Sequence, residues 1–296
     1  MAKIAADLER ALRERAIRGS AGGTARRVLA QGHGWTAEDV ICTSGPTDRP
    51  FEEQHSQVSV AVVAAGTFQY RSTVGRALLM PGSLLLGNAG QCFECGHEHG
   101  TGDRCISFQF TPEYFERIAI DAGASAAAVS FRSPRLPPVR ASASIVAQAC
   151  AGLAGTSDVS WEEVAVRVAA YVARAMSQRT SAPADASPRL VARVTRAVRA
   201  IERAPFDRLT LSGLAAEAGS SPYHFLRTFE RLTGLTPHQY VRRSRLREAA
   251  IRLTLEPTKV IDIAFETGFG DVSNFNRAFR TEFGVSPRVY RHSGAA

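Results

Sequence analysis

Long apolar runs are absent: no stretch of the 296-residue chain reaches the roughly 18 residues that a membrane helix needs. Cysteine is sparse and odd in number (Cys42, Cys92, Cys95, Cys105 and Cys150), which disfavours a disulfide scaffold and fits a reducing cytosol. Lysine is nearly missing, two among 36 basic residues. The start, MAKIAADLERALRERAIRGS, mixes acids with bases and has no apolar centre, so it does not read as a signal or transit peptide. A composition of 45% hydrophobic and 22% charged residues, with 24 Gly and 14 Pro, excludes collagen-like, coiled-coil and wholly disordered classes. No Ser/His/Asp triad, paired-carboxylate or phosphate-loop signature is present, so the chain is not expected to be an enzyme.

Charge is unevenly placed. Residues 187–296 hold 18 basic and 10 acidic side chains; residues 1–186 hold 18 of each, so the whole net +8 lies in the last 110 residues. A neutral body with a basic end suggests a nucleic-acid module joined to something else. The segment SQRTSAPADASP, 177–188, reads as a flexible linker. Upstream, VSVAVVAAGTFQY, LLMPGSLLLGN and CISFQF between Val58 and Phe110 are apolar or alternating runs broken by Gly, Pro and Asn, the texture of an antiparallel sheet or barrel. Residues 160–176 place Trp161, Val164, Val168, Tyr171, Val172 and Ala175 at helical spacing; that helix closes the core or pairs with a second subunit. The expected organisation is an arm over 1–35, flexible or helical, a first domain over 36–176, the linker, and a second domain over 189–292.

The basic half contains a tandem repeat. Phe225, Phe229, Gly234, Pro237 and Tyr240 recur as Phe275, Phe279, Gly284, Pro287 and Tyr290 at an offset of 50, and Leu214, Ala215 and Gly219 recur as Ile263, Ala264 and Gly268 at an offset of 49. Each copy reads as helix, tight turn, helix. Thr210 caps the first helix and Gly219 makes the turn; Ser221 followed by Pro222 starts the second, running to about Thr233. In the second copy Gly268 is the turn and Asp271 the cap of a helix to about Glu282. Thr236-Pro237 opens a joining helix to about Leu255, roughly 30 Å long and so close to one turn of DNA. This is the helix-turn-helix pattern, whose second helix enters the major groove of double-stranded DNA.

The Phe pairs, four residues apart, mark the core faces. Tyr223, His224 and Arg227 lie off that face in the first copy, and Val272, Ser273, Asn274 and Arg277 in the second. Arg pairs with guanine, Asn with adenine, and Val meets a thymine methyl. Ser221, Asp271, Arg242, Arg243, Arg245 and Arg247 are candidates for phosphate contacts.

The segments LSGLAAEAGSSPYHFLRTFERLTGLTPHQYV and IDIAFETGFGDVSNFNRAFRTEFGVSPRVYR closely resemble the AraC/XylS family of bacterial transcription regulators, over about residues 188–292. The resemblance implies a seven-helix, two-motif DNA-binding domain. It implies base reading at positions corresponding to Tyr223 and Arg227, and to Val272, Ser273, Asn274 and Arg277. Val272 and Gly270 depart from the family pattern and bear on which bases are read. It further implies that residues 36–176 form a cupin-like β-barrel that senses an effector and dimerises, with promoter DNA and RNA polymerase as partners. The expected fold class is therefore α+β, a β-barrel with flanking helices followed by an all-α tandem helix-turn-helix.

One stretch is chemically unusual. GQCFECGHEHGTGDRC holds Cys92, Cys95, His97, His99 and Cys105 within 14 residues. If 91–99 is a strand, Cys95, His97 and His99 share a face, 100–103 is a hairpin turn, and Cys105 returns opposite them. Cys95, His97, His99 and Cys105 would then offer a zinc site. Alternatively Cys92 and Cys95 form a reversible disulfide, or the cluster is buried and hydrogen-bonded without a ligand. His97-x-His99-x3-Asp103 resembles the metal motif of enzymatic cupins but lies after the Pro81-Gly82 turn, the reverse of that order. Cys42 and Cys150 stand alone and read as core. The function expected is a sequence-specific DNA-binding regulator whose first domain senses a small molecule, a metal or redox state. The alternative is a metal- or Cys-dependent enzyme or alkyl acceptor fused to a DNA-binding domain.

Overall fold

The computed structural model describes residues 2–50, 52–124, 130–155, 160–177, 187–207 and 209–293. They fall into two compact units. One comprises residues 2–137 and 160–177, the other residues 138–155 and 187–293. Most of the 177–188 segment lies outside the described residues.

The first unit is built on two antiparallel sheets. The larger has the order β1-β2-β9-β4-β7-β10: β1 (Thr24–Gly32), β2 (Trp35–Cys42), β9 (Asp103–Phe110), β4 (Val58–Gly66), β7 (Leu84–Gly87) and β10 (Arg135–Leu136). The smaller has β3 (Glu52–Gln54), β8 (Cys92–Gly96), β5 (Phe68–Ser72) and β6 (Gly75–Leu79) in that order. Among the described residues no ladder joins the two sheets, so the expected closed barrel is instead a pair of open sheets. The chain leaves one sheet for the other between β2 and β3, β3 and β4, β4 and β5, β6 and β7, β7 and β8, and β8 and β9. The 97–102 segment is such a crossing and not the hairpin turn its glycines suggested: β8 pairs with β3 and β5, and β9 with β2 and β4.

β4 is buried at all but its last residue, which explains its unbroken apolar sequence VSVAVVAA. On β9, Asp103, Cys105, Ser107 and Gln109 face a cavity, while Arg104, Ile106, Phe108 and Phe110 are buried on the opposite side. That side is covered by α1 (Ala2–Arg18), α2 (Pro112–Asp121) and α4 (Trp161–Ser177). Arg104 ties α1 down. Its guanidinium donates to both Asp39 carboxylate oxygens at 2.9 Å, to Asp7 at 2.8 Å and to the Ile4 carbonyl at 3.2 Å. The helical reading of the N-terminal segment agrees with α1, but residues 2–35 are no separate arm, since they also supply a strand paired along β2. Helix α4 packs inside the unit, with the Trp161 ring 6.3 Å from that of Phe108 and its Val164, Val168 and Val172 buried.

The second unit is helical: α5 (Pro188–Arg203), α6 (Leu211–Glu217), α7 (Pro222–Thr233), α8 (Pro237–Leu255), α9 (Val260–Glu266), α10 (Val272–Phe283) and α11 (Pro287–Ser293). These are the seven helices that the resemblance implied. An eighth, α3 (Ala143–Leu153), comes from the middle of the chain and packs on α8 and α10. Residues 138–153 therefore belong with the helical unit rather than with the sheets, as the 36–176 boundary had them. Ala147 joins a core with Leu246, Ala250, Ile263, Phe275 and Phe279. Cys150 is fully buried.

Candidate functional site

The two helix-turn-helix copies share their local chemistry. Gly219 (φ +60°) and Gly268 (φ +82°) make the turns in a backbone conformation that other residues rarely adopt. The Ser221 hydroxyl accepts from the His224 N–H at 3.4 Å at the start of α7; the Asp271 carboxylate accepts from the Asn274 N–H at 2.6 Å at the start of α10. Phe225 and Phe229, like Phe275 and Phe279, are buried, which turns the opposite faces outward. Tyr223, His224 and Arg227 are exposed on α7; Ser273, Asn274 and Arg277 are exposed on α10, with Val272 half-buried. An Arg277 N–H donates to Asn274 Oδ1 at 3.4 Å, which sets the two side chains next to each other.

Three of the four phosphate candidates on α8 are used inside the protein. Arg247 is buried and paired with Glu202 at 3.1 Å; that carboxylate also accepts from the Tyr240 and Ser244 hydroxyls. Arg243 donates to Glu282 at 3.0 Å and to the Pro138 carbonyl at 2.8 Å. Arg245 donates to the carbonyls of Pro205, Gly268 and Asp207 at 2.7–2.8 Å, fixing the turn of the second motif against the loop after α5. Only Arg242 of the four is exposed. Ser221 and Asp271 act as helix caps, and the Asp271 carboxylate has the wrong charge for a phosphate.

In the sheet unit, a cavity of about 470 Å³ lies between the two sheets. That size suits a small ligand. Val40, Ala61, Phe68, Leu85 and Phe93 give it apolar walls, and Arg26, Glu38, Gln54, Gln57 and Gln109 are among its polar lining. His55 shares a 2.8 Å hydrogen bond with the Tyr70 hydroxyl and stacks on Phe93 at 4.1 Å. Burial, and then the charge of Arg26, push the His55 pKa down to about 4, so its ring is neutral near pH 7. A Cβ at Gly87 would stand 2.2 Å from His55 Nε2; glycine there makes room for the ring.

Thiols and an imidazole gather in the same cavity. Cys42 ends β2, His97 follows β8 and Asp103 begins β9, and one ligand atom from each lies within 4.8 Å of the others. The His97 Nε2–H donates to Asp103 Oδ1 at 2.7 Å, and the Cys105 thiol donates to Asp103 Oδ2 at 3.4 Å. His97 Nδ1 is buried, and the Cys42 thiol bears on the same ring. Burial alone would lower the His97 pKa, but Asp103 and Cys42 outweigh it and raise it to about 9. Burial, reinforced by Asp103, pushes the Cys95 and Cys105 thiols well up, so both are protonated.

A family model described as a helix-turn-helix domain matches residues 214–293. The right origin-binding protein of Escherichia coli K12 is 38% identical over 85 residues, a stretch that spans 29% of this chain and 29% of that protein. The probable transcription factor PqrA of Proteus vulgaris is 34% identical over 88 residues, covering 30% of this chain and 72% of that protein. The chain belongs to the AraC/XylS family. A solved AraC-type transcriptional regulator from Chromobacterium violaceum is 26% identical, covering 35% of this chain and 92% of that one, with a TM-score of 0.34.

All of the AraC/XylS likeness in sequence to PqrA and to the Escherichia coli protein thus falls on about three tenths of the chain. The metal set Cys95, His97, His99 and Cys105 is not assembled as expected. The strand ends at Gly96 and the chain turns, with the Gly100 N–H donating to the His97 carbonyl, so alternation does not carry His99 into the cavity. Cys92 and Cys95 lie on opposite faces of β8, about 10 Å apart along the strand, too far for a disulfide. Cys42 went unrecognised as a partner of His97, while Asp103 was linked to His97 only through the cupin-like motif. Cys42 is 55 residues away in sequence, and only its inward register on β2, opposite Asp103, brings it in.

Proposed function

We propose that the chain is a sequence-specific, cytoplasmic DNA-binding transcription regulator. Helices α7 and α10 present Tyr223, His224 and Arg227, and Val272, Ser273, Asn274 and Arg277, to the major groove. The observation that carries this reading is the repeated geometry: two capped helices, each with its Phe pair buried and its polar face exposed. Helix α8, with 19 residues, is about 28 Å long. That length suits two recognition helices in successive major-groove segments, so one chain would read a bipartite site. The cavity between the sheets receives the signal, and its ligand acts by binding one conformational state better than another. A homodimer working with RNA polymerase completes the reading.

The test is selection of binding sites from random duplex DNA with the full chain, followed by footprinting over a range of salt. A bipartite site with a steep salt dependence is expected. Arg277→Ala is expected to weaken that site by about 1–3 kcal/mol and relax one base position. No enriched site, or an unchanged footprint and sequence preference in both Arg227→Ala and Arg277→Ala, overturns the assignment.

A further inference from the structure

We propose that Cys42, His97 and Asp103 bind a thiophilic divalent transition metal ion, of the Zn²⁺ class, inside the cavity between the sheets. The proposal rests on reading that cavity as the sensory part of the regulator, and gives it a ligand class.

Three separate elements deliver the donors. Cys42 is the last residue of β2, His97 lies just past β8 in the other sheet, and Asp103 is the first residue of β9. Zinc bonds of about 2.0–2.3 Å place donors some 3.5 Å from one another. The donors here already lie within 4.8 Å of each other, so small side-chain adjustments suffice.

The His97 ring is already placed beside the other two donors. Its Nε2 stands 2.7 Å from Asp103 Oδ1, and a metal ion entering between them takes the place of the proton they share. The His97 side chain is only 1% exposed, so little water competes for the site. A buried imidazole–carboxylate pair with a thiol beside it offers an ion three donors at once.

A thiol with an imidazole selects Zn²⁺, Co²⁺, Ni²⁺ or Cd²⁺ over Mg²⁺ or Ca²⁺, which take oxygen donors. Cys42 binds as the thiolate and His97 as the neutral imidazole, so the Cys42 thiol proton and the proton on His97 Nε2 are both released to solvent. Cys105, on Asp103 Oδ2, is one hydrogen bond further out. Cys92 faces away on β8 and takes no part, and His99 lies beyond the strand end.

The experiment titrates the full chain, reduced, chelator-stripped and kept anaerobic, with Co²⁺. One equivalent is expected to produce a thiolate-to-cobalt charge-transfer band, which Zn²⁺ abolishes. Cys42→Ser and His97→Gln are expected to bind at least about tenfold more weakly, and Asp103→Asn about 10–100-fold; His99→Ala and Cys92→Ser are expected to bind as the parent does. Folding of the variants need not be relied on. In the unaltered chain, one equivalent of Zn²⁺ is expected to slow alkylation of Cys42 at least tenfold, read by peptide mass spectrometry, and to leave Cys92 unprotected. Absence of the band, its survival in both Cys42→Ser and His97→Gln, or no protection of Cys42 overturns the site. DNA footprinting of the same metal-free preparation separates the two readings, because loss of the metal site leaves α7 and α10 free to bind DNA.

Discussion

His97 Nε2 stands 2.7 Å from Asp103 Oδ1 although the two residues lie at the ends of strands in different sheets. Five residues of chain, 98–102, separate them, and those residues cross from one sheet to the other. The pair therefore staples the sheets at the end where the cavity thiols lie. Its low exposure on both sides makes it a buried ion pair rather than a surface one. Removing one partner of such a pair strands a charge in the interior. Asp103→Ala is expected to destabilise the sheet unit by about 3–5 kcal/mol, measured by urea unfolding followed through tryptophan fluorescence at pH 7. A loss below about 1 kcal/mol would show that the pair behaves as if exposed.

His55 sets a different pH dependence. Its folded pKa is about 4, against 6.5 for the free side chain, because of burial and then Arg26. Between those values the unfolded chain takes up a proton that the native ring refuses. Stability is thus fully present above pH 6.5 and falls as the pH drops towards 4. The gap corresponds to about 3 kcal/mol. Replacing His55 with Gln is expected to flatten this window while keeping a polar partner for Tyr70. Urea midpoints between pH 4 and 7 check it: an equal slope in parent and variant sinks the assignment to His55.

The helical half was legible in the sequence because its signals are local. Caps at Thr210, Ser221, Thr236 and Asp271, turns at Gly219 and Gly268, and Phe pairs at i and i+4 each act within a few residues, and the duplication states them twice. The sheet half was partly legible. The doubly buried β4 announces itself, whereas β1, TARRVLAQG, is a mostly exposed edge with no alternation to read. Docking of α3 on α8 and the meeting of Cys42 with His97 depend on long-range packing. Nothing in the spacing of either encodes it. The roles of Arg243, Arg245 and Arg247 were hidden likewise, since a basic helix reads as a DNA face until its acceptors are placed.

Arg242 and Arg247 should separate cleanly. Arg247 is buried against Glu202 and the Tyr240 and Ser244 hydroxyls share that carboxylate, so Arg247→Ala is expected to cost about 3 kcal/mol of stability. Its salt dependence of DNA binding, measured on the folded fraction, is expected to match the parent. Exposed Arg242 is expected to do the reverse: Arg242→Ala leaves stability within about 0.5 kcal/mol and lowers the salt slope by about one if it meets a phosphate. A reduced slope in Arg247→Ala would place that side chain on DNA after all.

Asp271 holds two opposed effects that substitution can split. Its carboxylate accepts from the Asn274 N–H at 2.6 Å and so caps α10, the helix that carries Arg277. In the proposed reading the same negative charge lies next to the DNA-facing side chains and repels phosphates. Asp271→Ala loses the cap and is expected to cost about 1 kcal/mol of stability. Asp271→Asn keeps an accepting oxygen and removes the charge, so stability is expected to stay within a few tenths of a kcal/mol. Non-specific DNA binding by Asp271→Asn should tighten, most at low salt, where screening is weakest. Thermal unfolding and fluorescence anisotropy with an unrelated duplex at two salt concentrations measure both arms. If Asp271→Asn destabilises as much as Asp271→Ala, the cap depends on charge at the helix N-terminus rather than on the hydrogen bond alone.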